Sequence, residues 1–359
     1  MSIVDRIEAA RVRTVDFLAT LQAPDAPPGV FLISRAHDPQ HWPGVLLPGT
    51  YNAVLCARLI GAPLPADPAA LIAWLEGFRL ADGRFRVPQM RDQDVFKKPD
   101  LAETWRYIDF HITNYTLGAI AALDPVRSPV LRFAEPYLDP RHLKAWLADR
   151  DFRDPWQEGN NIVNLGSFLL GMGARAGDAL AILFDWHDRL QEPTTGFWGV
   201  GQHGDSQQLL HAMAGSMHNY HLWYATGRPL PYQDRAVAYC LSLPPAVHSA
   251  CIDVDIIDVL VHGLDRRVAP VATTRQWLET WLDAILADQN PDGGFCDVRT
   301  GLRRQDGWVN GYSEPQGLSN TFATWFRWIG IAMAADVLWP SRWPWQFRTG
   351  VGIGYRWRR

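Results

Sequence analysis

Neither sign of charge dominates this 359-residue chain: 34 Lys and Arg stand against 38 Asp and Glu, a formal net charge of −4. A nucleic-acid binder gathers basic residues into a patch, so that class is set aside. Cysteine is scarce as well. Cys56, Cys240, Cys251 and Cys296 show no CxxC spacing, which excludes a zinc ribbon or a disulfide framework and fits a reducing cytoplasm. Long apolar runs are missing too. IVNLGSFLLGMGA and the stretch from Trp328 to Trp339 fall short of the ~20 residues that span a bilayer. Charges interrupt the apolar pattern of MSIVDRIEAARVRTVDFLATL, where a secretory signal would be unbroken. Alternating stretches typical of strands are almost absent, and no low-complexity linker divides the chain.

What is abundant is tryptophan: 17 residues, within 12% aromatics. Side chains of that size either line a pocket for an apolar or sugar substrate or wedge between helices. Apolar periodicity near 3.6 predicts an all-α chain whose helices fall into pairs: 4–22 with 48–61, 68–80 with 103–123, 140–150 with 156–174, 178–192 with 204–226, 232–242 with 252–263, and 272–288 with 314–338. The first member of each pair is amphipathic, as in ALIAWLEGF, and faces solvent on one side. The second is apolar or small nearly all round with polar residues at its start, as in QEGNNIVNLGSFLLGMGA, and reads as buried. The pairs recur about every 50 residues, the mark of stacked helical hairpins. Six hairpins, each with an exposed and a buried helix, close into an (α/α)6 toroid, a barrel within a barrel. The expected organisation is one domain over 1–338, followed by an aromatic and basic tail over 339–359.

Three outer helices end in related phrases, LADGRF at 80–85, LQEPTTGFWG at 190–199 and DQNPDGGFCD at 288–297. Each is a helix stop, a glycine-permitted turn and an aromatic plug. Gln191 with Gly196 and Trp198, and Gln289 with Gly294 and Phe295, resemble the repeat of terpenoid cyclases and of protein prenyltransferase β-subunits, over about residues 60 to 340. The resemblance speaks for fold more than for chemistry, because other toroids carry glycan lyases and glycosidases.

In a toroid the N-terminal ends of the inner helices converge on one mouth, where the site is expected. Cys251-Ile252-Asp253-Val254-Asp255-Ile256-Ile257-Asp258 opens the fifth inner helix, and Asp255, Asp258 and His262 share one helical stripe. The segment looks like the DxDD element of class II terpenoid cyclases. That resemblance implies Asp255 as proton donor beside Asp253, with Ile256 departing from the fourth position and Asp258 one turn on. The plainer alternative is a helix cap at Asp253 and buried hydrogen bonds for the others. A second cluster is His218, Tyr220 and His221, with His211 two turns before His218; imidazole and phenol suit proton abstraction and return. The third is Glu158, Asn160 and Asn161, followed by Asn164, suited to hydroxyl or carboxylate recognition, with Glu158 also a plausible first-turn capping group. Further candidate substrate contacts are Asp109, Tyr51, Trp105 and Trp198. So many polar groups are costly to bury without partners, which favours a functional pocket.

Three functions stay open. One is a terpenoid-cyclase-like enzyme in which Asp255 protonates an isoprenoid and aromatic faces stabilise cations. Another is a carbohydrate-active toroid, either a lyase using Tyr220 and His218 with Asn161 against a uronate, or a hydrolase using Glu158 and Asp255. The third is a non-catalytic binding module. The expected partner is a small molecule, isoprenoid or sugar. No metal or other cofactor is expected, magnesium entering only if the substrate is a diphosphate. The tail, where Trp343, Trp345, Phe347, Tyr355 and Trp357 alternate with five Arg, suits a membrane interface or docking across the barrel.

Overall fold

The computed structural model describes residues 1–87, 101–201, 203–300, 302–304 and 312–357, with 101–107 and 302–304 described by backbone alone. Twelve α-helices occupy these residues. The odd-numbered ones form an outer layer: α1 (Ile3–Ala19), α3 (Pro68–Glu76), α5 (Pro140–Ala148), α7 (Gly177–Leu190), α9 (Gln233–Ser242) and α11 (Val271–Ala287). The even-numbered ones form the inner layer: α2 (Leu46–Ile60), α4 (Leu101–Leu123), α6 (Pro155–Gly171), α8 (Ser206–Thr226), α10 (Ala250–Asp265) and α12 (Thr321–Leu338). Each inner helix packs on the next and α12 closes on α2, so the inner layer is a ring. This is the expected α/α toroid.

Local chemistry explains the ring. Inner helices start on side-chain caps: Asp154 accepts from the Gln157 N–H, Asp205 makes a capping box with Gln208, Ser249 accepts from the Ile252 N–H, and Asn320 from the Ala323 N–H. From Ala250 to Gly263 only Cys251 of α10 is not fully buried, whereas α7 buries only Ala179, Leu183, Phe184 and His187. The closest approach is between α6 and α8. A Cβ at Gly215 would lie 2.0 Å from the Pro155 carbonyl oxygen, and one at Gly159 would lie 2.3 Å from that of Gly215.

The aromatic turns are riveted to the inner ring. The backbone N–H of Phe85 donates to Thr113 Oγ1 at 2.9 Å, that of Trp198 to Ser216 Oγ at 2.9 Å and that of Phe295 to Thr324 Oγ1 at 3.0 Å. Phe31, donating to Thr50 Oγ1 at 3.0 Å, repeats the device in the first hairpin, whose turn carries no comparable phrase. Gln191 and Gln289 bind the carbonyls of Gly196 and Gly293 at 2.7 Å each, locking both turns.

Two expectations need correction. The last inner helix begins at Thr321 and not near 314, because Ser313–Pro315 pairs antiparallel with Leu302–Arg304 as a short hairpin and Asn320 then caps the helix. The tail is not a free membrane-facing segment. It crosses the C-terminal mouth of the inner ring and touches all six helices: the Gln346 N–H donates to Leu59 O, Arg348 to Asn114, Ser167 to Val351 O, and Trp357 N–H to His262 Nε2, while the Tyr355 ring meets His221 and Arg356 pairs with Asp265 and Asp336. Trp343 donates to Glu8 and packs on Trp345, which packs on Trp328. Six helix C-termini, each carrying about half a negative charge, converge on this mouth, which suits the guanidinium groups of Arg348 and Arg356 placed there. Among the described residues no helix is long and apolar enough to cross a membrane.

Candidate functional site

Helical spacing and contacts together orient the inner walls. On α2, α4 and α12 the wall is aromatic: Tyr51 and Tyr115 lie 5.6 Å apart between ring centroids, Tyr115 and Trp325 5.4 Å at nearly right angles, and His111 stands 4.5 Å from Tyr115. On α6, α8 and α10 it is polar, with Asn160, Asn164 and Ser167 on one stripe, His218 and His221 on the next, and Cys251, Asp255, Asp258 and His262 on the third. The interior is therefore amphiphilic, aromatic on one side and ionisable on the other.

The three acids of α10 have different surroundings. Asp253 points sideways to α12, where it pairs with Arg327 and accepts from the His248 N–H and Nδ1 at 3.0 and 3.1 Å. Ser249, not Asp253, caps the helix. Asp258 accepts from His221 Nε2 at 2.9 Å and His262 Nδ1 at 3.0 Å. Burial alone would raise the Asp258 carboxyl, but the two imidazoles outweigh it and hold it below the usual carboxylate range. Asp255 is fully buried, and neither of its oxygens has a hydrogen-bond partner. Burial first, then the charges of Asp258 and Asp253, push its carboxyl well above the ordinary range. Two of the three acids are thus paired, and the third, Asp255, stands unpartnered where burial and like charge oppose its ionisation.

His218 is buried on α8, on the stripe of His221 and within the electrostatic reach of Asp258. Burial, then His221 and His111, pull its imidazole down to about 3, so it is neutral at ordinary pH. His221, Asp258 and His262 each offer a ligand-type atom within 4.8 Å of the others, the spacing of a metal set. However, the Trp357 N–H occupies the His262 Nε2 lone pair at 3.3 Å, leaving the proton on Nδ1 and directing it at Asp258. Asp258 and His262 are thus paired within the array, while His221 Nδ1 stays buried without a hydrogen-bond partner.

The structure gathers Asp255, Asp258 and His218 at the interior, but deeper than expected: Asp258 and His262 lie toward the tail, not at the N-terminal mouth. Other expected members stand elsewhere. Glu158 turns outward to Arg150 at 3.0 Å, both buried, with that guanidinium over Trp146, and the Asn161 amide follows it at 3.5 Å. Asn160 faces the interior, yet its amide donates to its own helix at Trp156 O. Asp109 anchors the LADGRF turn through Arg84 and Arg86 at 2.7 and 2.6 Å. The Tyr220 hydroxyl is bound to Gly196 O at 2.6 Å and its ring packs on Trp198, whose Nε1 donates to His187 O. Positions 218 and 220 lie on opposite faces of α8, so they cannot act as one acid–base pair. His211 stays half-buried beside Trp156 near the start of α8. Tyr51 does face the interior, and the Trp105 side chain lies outside the described residues.

The residues that sequence reasoning passed over are Tyr115, Trp325, His248, Arg327 and Arg348. Tyr115 had a signal, four positions after His111 on the same stripe.

No protein-family model matches the chain, and a search of curated proteins finds no match. Solved structures of type II terpene cyclase MstE from Scytonema are similar: one in complex with geranylgeranyl dihydroxybenzoate (substrate) and one with merosterolic acid A (product) each align at TM-score 0.50 and 15% identity, covering 94% of this chain and 99% of that one. At that identity the likeness is one of fold, and the chain has the terpenoid-cyclase-like α/α toroid.

Proposed function

We propose that this protein is a terpenoid-cyclase-like enzyme in which Asp255 gives its proton to an isoprenoid held inside the barrel. The observation that carries the reading is a fully buried carboxyl with two unpartnered oxygens, set between acids that are already paired. A protonated acid with no internal acceptor for its proton is a donor awaiting a base, and the weakly basic π-bond of an alkene accepts only from such a group. The fold neighbours hold a geranylgeranyl-bearing substrate, which supports an isoprenoid here.

The proton of Asp255 passes to one alkene carbon, the π pair becomes the new C–H bond, and the neighbouring carbon becomes a cation. Further alkenes attack it in turn and close rings. Tyr51, Tyr115 and Trp325 supply π faces along the opposite wall. The last cation loses a proton to a base, and neutral His218 takes that role; transfer from His218 to the Asp255 carboxylate restores both groups. Magnesium would serve only to bind a diphosphate, not to start the reaction. The carbohydrate reading lacks its machinery, since the Tyr220 hydroxyl is spent on Gly196 and Glu158 on Arg150.

The test is incubation with geranylgeranyl-bearing aromatic acids and with linear prenyl diphosphates, alongside uronate oligosaccharides, followed by mass spectrometry. The expected products are cyclic isomers of unchanged mass from an isoprenoid. Asp255→Asn should slow turnover by about 10²–10⁴-fold, the contribution of a positioned general acid. Full activity of that variant, or turnover of the uronate alone, refutes the reading.

A further inference from the structure

A cavity of about 250 Å³ lies between the C-terminal ends of α4 and α6, under the tail and reaching outward to α3, and shares Ser167 with the end of the interior wall. Its apolar side is formed by residues such as Ile120 and Phe168. Its polar side is unbalanced. Arg79, Arg127 and Arg348 line it, and the one carboxylate there, Glu76, is shared between Arg79 and Arg127, the latter at 3.1 Å.

Arg348 is the odd member. Its guanidinium donates to Ile353 O at 3.2 Å and to Asn114 O and Oδ1 at 3.1 and 2.6 Å, all neutral acceptors. It forms no ion pair among the described residues, and its Nε–H is buried with no acceptor at all. The two nearby helix C-termini supply about half a negative charge each, roughly offsetting one of the two surplus cations. About one positive charge is left over beside an apolar wall.

We propose that this cavity binds a monocarboxylate with a short apolar body, its anionic end answering the surplus guanidinium of Arg348 and its chain lying along Ile120 and Phe168. A phosphate monoester carries too much charge for the converging helix ends, and a neutral alcohol leaves Arg348 unanswered. The inference does not depend on the cyclase reading, because it concerns binding at another place.

Isothermal titration of the full-length protein with octanoate, octan-1-ol and octyl phosphate tests it. Octanoate should bind saturably, at least tenfold tighter than either of the others, and more weakly as salt rises. Arg348→Met should erase the preference for octanoate over octanol. Because Arg348 also anchors the tail, Arg127→Gln, at an exposed position, is the second charge variant and should weaken octanoate several-fold with an unchanged circular dichroism melt. Ala121→Phe fills the cavity without altering charge and should abolish binding. Equal affinity for octanol, preference for octyl phosphate, or octanoate binding that survives Ala121→Phe overturns the proposal.

Discussion

Replacing Asp255 by Asn should stabilise the protein, and by an amount that grows with pH. The carboxyl is buried without a hydrogen bond and held above the usual range by burial, then by Asp258 and Asp253. Between the unfolded value near 3.8 and the folded value, the folded state therefore carries a proton that the unfolded state has released. Stability then falls as pH rises, by about 1.4 kcal/mol per pH unit throughout that window. Asn keeps the shape and titrates nowhere, so its advantage over the wild type is small near pH 4 and rises by that amount with each unit. At roughly 2 °C per kcal/mol for a chain of this size, the gap in melting temperature should widen by about 3 °C per pH unit. Scanning calorimetry or circular dichroism melts of both proteins from pH 4 to 8 read this directly. A gap that does not widen with pH above 4 would show that Asp255 is ionised or partnered in the folded chain and would remove the basis for its role as acid. Activity enters nowhere in the experiment, so the outcome stands whatever the substrate.

Acid should act in the opposite sense through His111, His187 and His218, whose imidazoles are pulled down to about 3, about 4 and about 3, chiefly by burial. Their folded values lie below the unfolded 6.5, so their contribution is complete above 6.5 and is lost as pH falls, roughly 2 kcal/mol each by pH 5; urea unfolding in the Asp255→Asn background isolates this slope from that of Asp255. Gly215→Ala drives a Cβ against the Pro155 carbonyl and should cost at least the roughly 1–3 kcal/mol typical of overpacking, measured by chemical denaturation, with an unchanged midpoint counting against the close α6–α8 packing. Arg327→Met leaves Asp253 buried without its guanidinium and should destabilise by about 3–5 kcal/mol, measured by chemical denaturation, with an unchanged midpoint counting against the buried pair.

The twelve helices were legible because their periodicity is strong and because Asp, Ser or Asn stands at most inner-helix starts. The start of α12 is misplaced despite its Asn320 cap, because Ser313–Pro315 is polar enough to pass for a helix entrance and its pairing with Leu302–Arg304 is not local. The rivets from turn aromatics to Thr50, Thr113, Ser216 and Thr324 were hidden because a hydroxyl inside a helix has many uses and only tertiary register selects this one. For the site, the α10 stripe was readable from spacing alone. Which way a uniformly buried helix turns was not: α12 is buried from Thr321 to Ala335, so nothing in its sequence singles out Trp325 as facing the axis. Likewise Glu158 and Asp109 are as buried as Asp255, and only their arginine partners, one on a neighbouring loop and two in a turn, separate an anchoring acid from an unpartnered one.

The departure at Ile256 has a geometric meaning. A residue one position after Asp255 points about 100° away around the helix, whereas the residue three positions on returns to the same stripe. An acid at 258 therefore places its charge on the face of Asp255, while Ile256 is left to pack. The charge must also be permanent to exert that repulsion, and Asp258 is made so by two imidazoles donating to its separate oxygens. One of those imidazoles is held in the required tautomer by the Trp357 N–H. The tail, the last segment of the described chain, thus closes the C-terminal mouth and, through His262, orients a hydrogen bond onto Asp258, whose charge adds to burial in raising the carboxyl of Asp255.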